Sequence, residues 1–148
     1  MLPIIEPGIK VAVQASPEPS EEELALIQQM GVEWVVLWTN AAKASADYFA
    51  SRRKLYEAHG IRVYGFGNWD VHNQDAIVLG LEGRDAKVAQ YKQHLRDLSR
   101  AGIPYTTYAH MANGIWSTER EPTRGGASAR AFDAATAEEG RWIDRRRA

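Results

Sequence analysis

Two polar clusters in the second half of the chain hold the residue types that can handle a small polar molecule. One is Asn68, Trp69, Asp70, His72 and Asp75; the other is Tyr108, His110, Asn113, Trp116 and Ser117. A loop histidine can bond a substrate hydroxyl or move a proton near neutral pH, although bonding to loop backbone is an equally ordinary use. Aromatic rings beside amide groups suit a polyhydroxylated ligand, whose C–H faces stack while its hydroxyls find amide partners. Trp38 and Asn40 end a strand-like run and can join the same site, with core packing the simpler reading of both Trp34 and Trp38. The residues expected to contact substrate are therefore His72, His110, Trp116, Tyr108, Asn113 and Trp38. Asp70 and His72 stand two apart and would share a face of an extended segment as metal ligands, but no further ligand accompanies them. His59 and His94 read as a helix-end cation and as a solvated or partly packed side chain. Gly65 and Gly67 lack the full dinucleotide fingerprint, so a bulge or a close backbone approach explains them better. Arg124-Gly125-Gly126 reads equally well as an anion-binding turn or a flexible loop.

These clusters need a scaffold, and the chain repeats one. Lys10 to Ala15 alternates as a short strand; Ser20 and Glu23 form a capping box, with Leu24, Ile27 and Met30 at helical spacing and Gly31 as the stop. Glu33 to Thr39 is a β-branched and aromatic run, the composition of a strand covered on both faces. A second helix starts near Ser45, carries Tyr48, Phe49, Leu55 and Tyr56 on one side and stops at Gly60. Ile61 to Phe66 is the third strand. After an excursion to Gly83, a helix runs from about Asp85 to Ala101 with Val88, Tyr91, Leu95 and Leu98 as its apolar stripe, and Ile103 to Tyr108 is the fourth strand. Gly8-Ile9, Gly31-Val32, Gly60-Ile61 and Gly102-Ile103 punctuate the series, each ahead of a strand. Such a repeat requires parallel strands joined by crossovers rather than hairpins, which leaves a doubly wound sheet or a β/α barrel. In both, the loops at the C-terminal strand ends carry function, and those loops hold both polar clusters. Beyond Tyr108 a polar loop runs to about Ala127, followed by a helix from about Ser128 into an arginine-rich tail with no fifth strand.

Composition narrows the function. The 148 residues are 45% hydrophobic and 25% charged, a globular balance. A net charge of −1 and a pI near 6.4 argue against a nucleic-acid partner, which would need a basic surface to displace counterions. With Cys 0 there is neither a disulfide framework nor a thiolate metal site, which fits a reducing compartment. The start, Met1 to Ile5, is too short for a signal core, and no apolar stretch approaches a membrane span. The expectation is a cytoplasmic protein without a membrane partner.

One stretch resembles a known family. The run His72-Asn73-Gln74-Asp75-Ala76-Ile77-Val78-Leu79-Gly80-Leu81-Glu82-Gly83-Arg84-Asp85, followed by Tyr91-Lys92-Gln93, Leu95-Arg96-Asp97-Leu98 and Ala101-Gly102-Ile103, resembles the amino-terminal half of mannonate dehydratases. These are metal-dependent lyases with a xylose-isomerase-like TIM barrel. Tyr108, Met111 and Trp116 look like the family's segment after strand four, and Ala131-Phe132-Asp133 like the start of its next helix. The resemblance runs from about Arg62 to Asp133. Two extra residues stand between His72 and Ile77, Ala109 replaces an Asn, and Trp116-Ser117-Thr118 replaces a Trp-Thr-Arg-like piece. These departures leave room for a related sugar-acid dehydratase or isomerase.

The resemblance implies a single α/β domain over residues 1–148, made of the first four β/α units of a TIM (β/α)8 barrel. It implies dehydration of D-mannonate to 2-keto-3-deoxygluconate in hexuronate catabolism, with Mn2+ or Fe2+ polarising the carboxylate side. The family's His, Cys and Asp metal ligands belong to later strands, so no metal ligand is carried over and this chain alone is expected to bind no metal tightly. A half barrel would expose strand edges and interior, so it is expected to aggregate or to form a homodimer that completes the barrel. The alternatives are a xylose-isomerase-like sugar isomerase or epimerase, and a non-catalytic fragment.

Overall fold

The computed structural model describes residues 4–109 and 117–137, which fall into two compact units, Met1–His110 and Met111–Ala148. In the first, β1 (Ala12–Ala15), β2 (Trp34–Thr39) and β3 (Arg62–Asn68) form a parallel sheet in the order β1-β2-β3. Between them lie α1 (Glu21–Gln29) and α2 (Ala46–Ala58). After β3 come two single-turn helices, α3 (Trp69–His72) and α4 (Asp75–Val78), and then the long α5 (Arg84–Arg100).

The helix ends follow from local chemistry. Ser20 Oγ accepts the Glu23 N–H at 3.1 Å and Ser45 Oγ accepts the Tyr48 N–H at 3.2 Å, each satisfying a donor that a first turn leaves open. The capping box at Ser20 closes in one direction only. Glu23 turns its carboxylate to the Ser16 N–H, 2.9 Å away, and so holds the loop that leaves β1. Tyr56 reaches the same loop from α2, its fully buried ring ending in a hydroxyl that donates to the Ser16 carbonyl at 2.5 Å. The stops predicted at Gly31, Gly60 and Gly102 take φ values of +66°, +73° and +72°, where a Cβ would be strained.

A single core fills one face of the sheet. Leu24 and Ile27 of α1, Phe49 and Tyr56 of α2, and Leu98 with Ala101 from α5 and its end pack onto Val35, Leu37, Val63 and Phe66. Alternate residues of β2 and β3 lie on the opposite face, where Tyr64 meets Trp34 edge-on at 6.0 Å and Tyr105 stacks on Tyr64 at 5.0 Å. Helices on one face and large side chains on the other is the layering of a barrel wall. A doubly wound sheet would have helices on both faces.

Several expectations change. The first strand is shorter than Lys10 to Ala15, and Met30 is exposed. The fourth strand, expected over Ile103 to Tyr108, is present as one parallel bridge, Gly65 to Tyr105, with the Phe66 N–H donating to the Tyr105 carbonyl at 3.1 Å. β3 bulges at Tyr64, where its register against β2 slips by one residue, and beyond the bridge the Thr106 hydroxyl takes the Phe66 carbonyl that the ladder's next backbone N–H would take. The stripe expected on α5 is rotated: Leu95 is 41% exposed, and the buried positions are His94, Asp97 and Leu98. His94, read as solvated or partly packed, is 4% exposed. Polar side chains take these positions because each has partners there. Asp97 accepts from Gln93 Nε2 at 3.0 and 3.1 Å and from Arg100 at 3.3 Å, and His94 meets Thr106.

The second unit contains a hairpin rather than a crossover. β4 (Glu121–Pro122) pairs antiparallel with β5 (Ser128–Ala129) around a 3-10 turn at Arg124–Gly126. Ser128, read as a helix start, is thus a strand residue, its carbonyl accepting from Arg120 Nη2 at 2.5 Å. A turn begins at Asp133, whose carboxylate accepts the Ala135 N–H at 2.9 Å. The arginine tail lies outside the described residues.

Candidate functional site

The C-terminal ends of β2 and β3 bring together three aromatic side chains. Trp38 stacks on Trp69 with centroids 3.9 Å apart and planes 22° from parallel, and His72 stands edge-on to Trp38 at 5.2 Å. Trp38 is the penultimate residue of β2, while Trp69 and His72 begin and end α3. Their meeting depends on Gly67, the register partner of Trp38. A Cβ at Gly67 would lie 2.6 Å from the Trp38 indole, so only glycine leaves room for the ring. A Cβ at Gly65 would come to 2.7 Å from the Tyr105 carbonyl oxygen, which makes Gly65 the close approach that admits the next segment of chain. The close-approach reading of both glycines holds.

Polar bonds fix the turn of α3. The Asn68 side chain, fully buried, caps the helix by accepting the Asp70 N–H at 3.0 Å. Asp70 Oδ2 accepts the Ala41 N–H at 2.7 Å, tying α3 to the loop after β2. Gln74 Nε2 donates to the Asp70 carbonyl at 2.5 Å, and the His72 carbonyl accepts the Ala109 N–H at 2.8 Å. Asp70 is thereby a structural carboxylate. The helical turn also places Asp70 and His72 about 200° apart around its axis rather than on one face, so the pair does not form a metal site. Among the described residues no group of three or more His, Asp or Glu is positioned to hold a metal ion.

Of the six residues expected to contact substrate, Trp38 and His72 touch, and Tyr108 lies 66% exposed at the end of the segment bridged to β3. His110, Asn113 and Trp116 lie outside the described residues. Sequence reasoning undervalued Trp69, which is 57% exposed and offers the open ring of the stack. The signal for it was Asn68 followed by Asp70, an N-cap that turns the chain at the strand end and presents Trp69 beside Trp38.

The fold and this rim define a class: part of a TIM-barrel wall with an aromatic, polar-edged surface at its C-terminal face. The sequence profile of the D-mannonate dehydratase (UxuA) family matches residues 17–144, and the chain belongs to that family. The match begins well before Arg62, where the resemblance in sequence fades. No curated protein matches the chain. Among solved structures, the mannonate dehydratase of Streptococcus suis serotype 2 superposes with a TM-score of 0.70 at 20% identity. The match covers 87% of this chain and 38% of that one, so this chain spans well under half of its length. No helix of the described residues is long and apolar enough to cross a membrane.

Proposed function

We propose that the chain contributes the substrate-facing rim of a D-mannonate dehydratase, a lyase that removes water from D-mannonate to give 2-keto-3-deoxygluconate. The observation that carries this reading is the Trp38–Trp69 stack with His72 at its edge, in a chain of the UxuA family. A sugar acid has an apolar C–H face and a polar hydroxyl edge. The indole exposed at Trp69 matches the first, and the imidazole and backbone groups of the turn match the second.

Dehydration takes a proton from C2 and releases the C3 hydroxyl with a second proton. In this reading the rim holds the carbon chain in place and keeps water from one side of it, and the described residues are assigned no acid or base. A divalent ion, expected from the family resemblance, would have to draw its ligands from residues beyond those described. The reading is tested by incubating a full-length protein that carries this chain with D-mannonate and Mn2+ or Fe2+ and assaying for a 2-keto acid. Formation of the keto acid, reduced when Trp69 is replaced by alanine, is the expected result. Conversion of ketoses or aldoses with none from mannonate would favour a sugar isomerase of the same fold.

A further inference from the structure

We propose that His94, buried in the helix layer, is a positioning residue that sets where the chain after β3's partner segment meets the aromatic rim. His94 Nε2 lies 3.2 Å from Thr106 Oγ1, and the Thr106 hydroxyl donates to the Phe66 carbonyl at 2.7 Å. The single Thr106 hydrogen is committed to Phe66, so the His94 contact requires Nε2–H to donate and fixes the neutral tautomer protonated there. In a continued parallel ladder the Phe66 carbonyl would take a backbone N–H from the segment after Tyr105. Here the Thr106 hydroxyl takes it, and the imidazole aligns that hydroxyl. The ring is itself held edge-on by Phe49 at 5.5 Å.

The consequence reaches the rim along the chain. Tyr105 is bridged to β3, Thr106 is fixed by this relay, and three residues later the Ala109 N–H donates to the carbonyl of His72. A shift at Thr106 therefore moves both Tyr108 and the tie that holds the end of α3. His94 Nδ1 is buried with no hydrogen-bond partner. A group with one bonded and one unbonded nitrogen in an apolar layer is retained for the bonded one, since leucine would pack there without a desolvation cost.

The binding arm of the test rests on the sugar-acid reading; the exchange arm does not. Amide hydrogen exchange is followed in the unaltered protein and in His94→Gln, whose side-chain N–H can reach Thr106, and His94→Asn, whose amide falls short. The Asn variant should speed exchange at Phe66 and Ala109 by about fivefold to tenfold, the loss of one hydrogen bond, with β1–β2 amides unchanged. D-mannonate binding should weaken in parallel, and Gln should restore both. Equal behaviour of Gln and Asn, or acceleration spread evenly over β1 and β2, would overturn the proposal. Should His94→Asn fail to fold, Thr106→Val against Thr106→Ser makes the same comparison, with serine expected to restore. Nitrogen chemical shifts placing the imidazole proton on Nδ1 would also overturn it. An intact exchange pattern in a protein that does not bind D-mannonate would support the positioning role and remove the substrate reading.

Discussion

Replacing Gly67 by alanine tests the rim without touching any polar group. The added Cβ would sit 2.6 Å from Cδ2 and Cε3 of Trp38 and 2.7 Å from Cε2. Carbon atoms pack best at about 3.5 to 4.0 Å, so the indole must retreat by about 1 Å. It is already stacked against Trp69 at 3.9 Å and edged by His72, so retreat breaks one of these contacts. Overpacking of this kind costs about 1 to 3 kcal/mol, while exchanging glycine for alanine within a strand returns up to about 1 kcal/mol. The expected net loss is about 1 to 2 kcal/mol in urea unfolding, with a changed near-ultraviolet circular dichroism signal from the indole pair. In a Trp38→Ala background the obstacle is gone, so the same substitution should be neutral or slightly stabilising. Equal destabilisation in both backgrounds would refute the argument, because the cost would then not come from the ring.

Two further outcomes follow from the helix layer. Burial holds the His94 imidazole below the usual histidine value of 6.5, opposed by the Asp97 charge and the Phe66 carbonyl, with the Tyr91 ring also nearby. The unfolded chain therefore binds a proton that the folded chain resists. This contribution to stability is complete above about pH 6.5 and is lost as the pH falls below it. Urea midpoints between about pH 7 and 5 should fall more steeply for the unaltered protein than for His94→Gln; parallel slopes would contradict this. Ser45→Ala removes the cap of α2 and should cost about 1 kcal/mol by the same unfolding measurement, with Ser45→Asp close to neutral.

The repeat of strand, helix and glycine stop was legible in the sequence because each unit follows local rules: a serine cap, an apolar stripe, a positive-φ glycine. The close approach at Gly65 and Gly67 was legible too, since glycines inside a strand signal something pressing on the backbone. Other features were set by partners remote in sequence. His94 reads as solvated or partly packed, but Thr106 and Phe49 give it a bonded, fully packed place. Ile103 to Tyr108 has the composition of a strand, but the bulge of β3 at Tyr64 and the Thr106 hydroxyl on the Phe66 carbonyl limit its pairing to one bridge. Asp70 and His72 were spaced as if on a strand, and the Asn68 cap turned that spacing into a helical one. Ser128 follows a flexible-looking glycine pair, yet Arg120 holds it in a hairpin.

The most direct measurement of the central claim is a tryptophan fluorescence titration of the protein with D-mannonate, with Trp69→Ala alongside. A ligand on the open face of the Trp38–Trp69 stack should change the emission saturably. Loss of the exposed ring should weaken binding by about fivefold to tenfold, the worth of one stacking contact. D-mannonate that leaves the emission unchanged, or binds Trp69→Ala as tightly as the unaltered protein, would contradict the assignment of this rim to a sugar acid.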